Sequence, residues 1–242
     1  MVKPQCTHHD FLRNVARHEL QVLHDDGVYR HLLGKEPGTG NRHFNIVTFP
    51  GYLCYTGDMG AYTFCRAHDM FTFFRQRPGR IANINPHYWA EKLEATNCNG
   101  QYVKHGAAEW SDELFKDEIL GHCKSYFESR EPDEDATDED KAKFSEMKAD
   151  AMEDVESEIF CCDDMEHAGA SAAYGFHHKE SGLKFYDLFE SNFTEWSHGF
   201  LWCCYAITWA IEKYDQRPAV PAAITWARDS EGRPLELVLN HG

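Results

Sequence analysis

At 242 residues and 27.9 kDa the chain is long enough for one large domain or two small ones, and a chain of this size buries about 70–75% of its unfolded surface, so it needs no disulfide or metal staples to fold. A hydrophobic fraction of 42% with 14% aromatics argues against a disordered protein, despite a mean hydropathy of −0.60. The formal charge of −16 argues against a basic nucleic-acid-binding groove as its main business.

No window reaches the ~18 uninterrupted apolar residues of a membrane span, and the N-terminal residues carry no apolar signal-peptide core. The expectation is a soluble cytoplasmic protein. The nine cysteines form an odd count and include the adjacent pairs Cys161-Cys162 and Cys203-Cys204, which favours reduced thiols over a disulfide framework.

In chain order, Thr7 reads as the cap of a helix over His8 to Asp26, with Phe11, Leu12, Val15, Val22 and Leu23 on one face and Gly27 closing it. Val28 to Leu33 reads as a first strand. Gly34 to Gly40 is then a surface loop, because a phosphate-cradling loop needs Gly-Lys-Ser/Thr opening a helix and here a strand follows. From Phe44 to Phe74 the patterning is densest. Phe44, Ile46 and Thr48 alternate with Asn45, Val47 and Phe49, the period of a strand. Pro50-Gly51 turns the chain into a second strand, Tyr52 to Thr56. Gly57-Asp58-Met59-Gly60 has the composition of a hairpin loop, and Ala61 to Arg66 returns as a third strand. Asp69 stands where an N-cap would, before a short helix with Met70, Phe71, Phe73 and Phe74 on its apolar side, ending near Arg77-Pro78-Gly79.

Asn85-Pro86 opens a further helix running through Trp89 to Lys92 and Leu93, broken by Asn97 to Gly100. Ser111 caps another whose buried side is Leu114, Phe115, Ile119 and Leu120. Between Glu128 and Glu158 there are fourteen acids against four bases, 14 − 4 = 10 of the sixteen net charges. Within that stretch Pro132 to Asp140 reads as a linker. Phe144, Met147, Ala151, Val155, Ile159 and Cys162 then recur every three to four residues, an amphipathic helix with a charged outer face. Ala168 to Gly175 looks like a flexible join, and Leu183 to Phe189 like a short strand or the start of a turn. Trp196 to Tyr214 is apolar on most sides, with Phe200, Leu201, Cys204, Ile207, Thr208 and Ile211 along one stripe and Trp202, Tyr205 and Trp209 widening it, which predicts a buried helix. Pro218 and Pro221 stop it, and Ala222 to Leu239 is a possible hairpin turning at Asp229 to Gly232.

The fold class expected is α+β: a small antiparallel β-meander on residues 42–66, packed by the N-terminal and C-terminal helices, with an acidic helical insertion. The chain divides accordingly into a core over 1–127, an insertion over 128–175, and a C-terminal helix with a possible hairpin over 176–242.

No catalytic signature accompanies this architecture. An enzymatic alternative, a metal-dependent hydrolase or nuclease, would place its site at Asp58 with His68 and Asp69, where carboxylates and histidine can bind a divalent ion or act as base and orienter. Against it, Asp58 is explained as a turn residue and Asp69 as a helix cap. Gly-x-Ser-x-Gly is absent, and Ser171 lies among small residues. Cys54 and Cys65 lie within strands among aromatics and read as small buried residues, not nucleophiles. Cys161, Cys162, Asp163, Asp164, Glu166, His167, His177 and His178 are competent metal ligands, but their spacing matches no closed zinc pattern. No cofactor is expected. A third reading is a self-assembling structural or replication accessory, in which a homodimer buries Trp89, Trp110 and Trp196.

The run TFPGYLCYTGDMGAYTFCR, followed by DMFTFFR and INPHYWAEKLEA, resembles a family of uncharacterised proteins encoded by tailed bacteriophages and prophages, and WCCYAITWAIEKYD is similar to the end of that family. The resemblance covers Phe44 to Ala95 and, more loosely, the C-terminal helix. It implies expression in the cytoplasm of a bacterial host and carries over no catalytic residue. Acidic phage accessory proteins of this kind resemble inhibitors of bacterial defence, of anti-CRISPR or anti-restriction type. That likeness implies stoichiometric binding to a host defence protein or nucleoprotein. Glu146, Asp150, Glu153 and Asp154 on the acidic helix are the partner-binding candidates, with aromatic residues at its edge as anchors.

Overall fold

Burial alternates most cleanly where the sequence alternates most cleanly. In strand β3 (Phe44–Phe49) the side chains of Phe44, Ile46 and Thr48 are buried while Asn45, Val47 and Phe49 face outward. Strands β4 (Tyr52–Gly57) and β5 (Gly60–Cys65) continue the pattern, burying Leu53, Tyr55, Tyr62 and Phe64 on the same face. Gly51, at φ +88°, takes the conformation that Pro50-Gly51 was expected to supply. The meander is larger than the sequence suggested. The computed structural model describes residues 6–77, 83–96 and 106–218, and in it six strands pair antiparallel in chain order to form one sheet.

The additional strands replace predicted helix. Helix α1 spans only His8–Asn14, capped by Thr7, and the chain then enters β1 (Glu19–Asp26), which pairs with β2 (Tyr29–Lys35). Gly27 does not close a helix: it is the first of two loop residues in a hairpin, at φ +61°, the geometry of a type II′ turn. Leu20 and Val22 pack against the core at spacing two, whereas Leu23 is exposed. Strand β6 (Leu93–Thr96) likewise stands where the helix from Asn85 was expected to continue; that helix, α3 (Pro86–Ala90), lasts barely a turn. The residues Ala90 to Ala95 are good helix formers, but the open edge of β5 supplies hydrogen-bond partners that outweigh propensity.

The inner face of the sheet is covered by helix α7 (His198–Asp215), capped by Ser197, together with α1 and α2 (Met70–Phe74). As its sequence predicted, α7 is buried nearly all round, from Phe200 to Ile211. Trp202 meets Phe11 at 5.0 Å and Phe44 at 5.7 Å, both edge-on, so one indole ties the N-terminal helix, the sheet and α7 together. Gly34 lies opposite Phe44 in β2, and any Cβ there would collide with the Phe44 ring. At the far end of α7, Arg30 is 8% exposed and bidentate to Asp69 at 2.9 and 3.0 Å, with its guanidinium 4.4 Å over the Phe71 ring. Asp69 is thus the expected N-cap, accepting from the Phe71 amide, and also the counter-ion of a buried arginine.

A second hydrophobic cluster lies outside this core. It joins α4 (Asp112–Glu128) and α5 (Asp138–Val155) to the segment from Met165 to Phe193. The apolar face of α4 is Phe115, Ile119, Cys123 and Phe127; Leu114 and Leu120 lie on its flanks, each 41% exposed. The expected periodicity holds in α5, where Ala151 and Val155 are buried and Phe144 and Met147 pack at the margin, and it continues past the helix: Ile159 is buried in a π-helical turn over Glu156–Phe160, and Cys162 packs at the margin. The predicted flexible join at 168–175 is instead a π-helical turn, Met165–Gly169, running into helix α6 (Ala170–Gly175). Leu183 to Phe189 forms no strand. The short strand in this region is β8 (Thr194–Trp196), which pairs with β7 (Ala108–Trp110). The hydrophobic clusters change over near 111 and 194, where β7 and β8 meet. The predicted break at 97–100, the stop at Pro78-Gly79 and the hairpin of Ala222 to Leu239 lie outside the described residues.

Candidate functional site

The acidic helix presents two kinds of carboxylate. With 3.6 residues per turn, successive residues of α5 advance by about 100°, so Glu146 and Glu153 fall within about 20° of each other and point away from the buried stripe, while Asp150 and Asp154 flank it. Among the described residues neither Glu146 nor Glu153 has an ion-pair partner. The lysines of the helix are directed elsewhere. Lys143 pairs with Glu139 at 2.7 Å, Lys141 donates to the Glu134 carbonyl, and Lys148 lies over the Phe127 ring. Glu146 and Asp150 line an open groove together with Lys143, Phe144, Met147 and Glu180.

Asp150 and Asp154 have structural work. His178 is only 4% exposed, and its Nε2 lies 3.0 Å from Asp150 and 3.9 Å from Asp154. The Ser181 amide donates to His178 Nδ1 at 3.2 Å, which makes Nδ1 the acceptor and directs the Nε2 proton to Asp150. This clasp fastens the turn at 178–183 onto α5, and the turn is closed by backbone bonds between His178 and both Gly182 and Leu183. Ser181, His178 and Asp150 stand in the order of a nucleophilic triad. The Ser181 hydroxyl, however, is 2.7 Å from Nδ1 and also accepts the Leu183 amide, contacts that the turn itself accounts for.

The enzymatic alternative fares differently. Asp58 lies at the β4–β5 turn, where it accepts the Arg42 amide and pairs with His43 at 2.9 Å. His68 and Asp69 follow β5 at its opposite end, where the His68 carbonyl accepts the Gly51 amide. A six-residue strand separates the two groups, roughly 20 Å at 3.3 Å per residue. The three residues are not brought to one site.

Nor are the cysteines and histidines after Glu158 gathered together. Cys161 is exposed, Cys162 bonds back to the Glu158 carbonyl, His167 bonds to Asp164, and His178 is committed to Asp150. Among the described residues no group of three or more His, Cys, Asp or Glu side chains is placed to hold a metal ion. Of the rings invoked for self-assembly, Trp89 is 4% exposed against Phe74, whereas Trp110, packed on Phe115 and Phe193, and Trp196, packed on Phe200, are half-buried. Sequence reasoning missed His178 as a partner of α5, since nothing in a separation of 28 residues announces that contact. It also missed a pocket of about 360 Å³ in the second cluster, lined by Trp110, Phe115 and Phe193 with Glu166, His167 and Asn192.

Among the described residues no helix is long and apolar enough to cross a membrane. Comparison of the chain with known protein families, with curated proteins and with solved structures returned no match.

Proposed function

We propose that this chain is a bacteriophage accessory protein that acts by stoichiometric protein binding, as an inhibitor of a bacterial defence system of anti-CRISPR or anti-restriction type. The phage setting rests on the sequence resemblance. The mode of action rests on one observation, the exposed acidic stripe of α5, in which Glu146 and Glu153 have no ion-pair partner among the described residues while Lys143 pairs with Glu139 and Lys148 lies over the Phe127 ring. Glu146 to Asp154 holds four carboxylates over eight residue steps, about 12 Å at 1.5 Å rise, or roughly one charge per 3–4 Å. A DNA strand carries one phosphate per about 3.4 Å of axis. A basic face that tracks phosphates would meet a similar line of charge on this helix, and the two would compete for it.

Affinity purification from bacterial lysate tests the proposal. The expected partner is a nucleic-acid-binding defence protein, displaced by added DNA or RNA and recovered at least tenfold less well by the double variant Glu146→Lys, Glu153→Lys. These two positions leave the His178 clasp intact, so loss of binding is not loss of fold. Unchanged recovery at physiological salt would remove the helix from the proposal.

A further inference from the structure

The cavity of about 360 Å³ in the second hydrophobic cluster falls within the size range of small-molecule sites. The apolar part of its lining is dominated by Trp110, Phe115 and Phe193, whose rings pack on one another with centroids 5.3 to 5.5 Å apart. Phe115 is buried, Trp110 is half-buried and the His167 side chain is 66% exposed, so the lining runs from the core out to solvent. Negative charge collects behind it. The Trp110 indole donates to Asp112 at 2.9 Å, the Ser191 hydroxyl donates to Glu118 at 3.4 Å, and His167 Nδ1 lies 3.2 Å from Asp164. With Glu166 in the lining itself, four carboxylates stand at the cavity or one side chain behind it, and among the described residues the lining contains no Lys or Arg.

We propose that this cavity is a binding site for a small organic cation, an ammonium or guanidinium head on an apolar body. Charge and solvation decide the class of ligand. An anion would meet four carboxylates and no counter-charge. A wholly apolar ligand would take water from the polar part of the lining and return no hydrogen bond. A metal ion finds no group of three His, Cys, Asp or Glu ligands among the described residues. A cation on an apolar body satisfies both parts of the lining: the body packs on the rings, and the head is drawn by the carboxylates and by the electron-rich faces of aromatic rings, of which tryptophan attracts a cation most strongly. Such a head comes either from a free amine or from the arginine side chain of a bound peptide. None of the α5 carboxylates lines the cavity, so this site and the acidic stripe are tested separately.

Isothermal titration calorimetry of the full chain with phenethylammonium, 2-phenylethanol and phenylacetate compares one body carrying a positive, a neutral and a negative head. Phenethylammonium is expected to bind once per chain with a Kd below about 1 mM, about tenfold or more tighter than the other two. Nα-acetylarginine amide, titrated in parallel, separates the two sources: tighter binding of phenethylammonium assigns the site to a free amine, and the reverse order assigns it to an arginine side chain. Glu166→Gln is expected to weaken phenethylammonium about threefold or more and to leave 2-phenylethanol unchanged, whereas Trp110→Leu weakens both. Carbethoxylation of His167 by diethyl pyrocarbonate, read by peptide mass spectrometry, needs no variant, and saturating phenethylammonium is expected to slow it about fivefold or more. Absence of binding by either cation up to about 10 mM overturns the proposal, as do equal affinities for the three heads. Cation binding that Glu166→Gln does not weaken, or that leaves His167 unprotected, also overturns it, by placing the cation elsewhere on an acidic surface.

Discussion

Replacing His178 with alanine separates the two jobs carried by the carboxylates of α5. The variant removes the hydrogen bond to Asp150, but that carboxylate is 59% exposed, so solvent screening holds the loss below about 1 kcal/mol. It also leaves the Ser181 amide and hydroxyl without their acceptor in a half-buried turn, worth about 1–2 kcal/mol. With the packing lost where the ring was, the total comes to about 2–3 kcal/mol, or a fall in Tm of about 4–12 °C for a chain of this size. Asp150→Asn keeps an acceptor near Nε2 and is expected to cost under about 1 kcal/mol. Urea unfolding followed by circular dichroism, with tryptophan emission as a second probe, measures both. The expected result is a large gap in stability between the two variants. Equal costs for the two, or His178→Ala within about 0.5 kcal/mol of the parent, would show that the ring does not hold the turn to the helix.

The buried arginine gives a second test: Arg30→Met leaves Asp69 without its counter-ion and removes a ring contact, and is expected to cost about 3 kcal/mol in urea unfolding. Adding Asp69→Asn should then cost far less than it does alone, a non-additivity of at least about 1 kcal/mol in a double-mutant cycle, because the two side chains act as a unit. Burial pushes the Asp69 carboxyl up, but bonds from Arg30 and the Phe71 amide outweigh it and hold the group below the usual carboxylate range. Burial likewise raises Asp25, and its bonds from Tyr214 and Arg217 outweigh that. Both groups therefore contribute stability that is full above the unfolded value of about 3.9 and is lost as pH falls through the lower folded value. Thermal melts between pH 5 and pH 2.5 should show a smaller acid-dependent loss in Arg30→Met than in the parent chain.

Local signals in the sequence were strong wherever the structure obeys them. The alternation of FNIVTF, the turns at Pro50-Gly51 and Gly57 to Gly60, and the caps Thr7, Asp69, Asn85 and Ser111 are each decided by a few neighbouring residues. The Asp26-Gly27 hairpin was equally local. It was overlooked because Val22 and Leu23 also fit the helical stripe begun by Phe11, and Leu23 proves exposed. Strand β6 carried no such signal, since its residues favour helix and only the unpaired edge of β5 makes them a strand.

By itself the sequence determined the α+β class, the central meander, the buried C-terminal helix and the acidic amphipathic helix, because period, turn chemistry and charge act over a handful of residues. Only the tertiary structure decided which acids of that helix hold His178 and which have no ion-pair partner among the described residues, and that Asp58 stands far from His68 and Asp69. Those outcomes depend on contacts between residues dozens of positions apart, and chain folding sets such distances through the packing of whole elements, where no local pattern can record them.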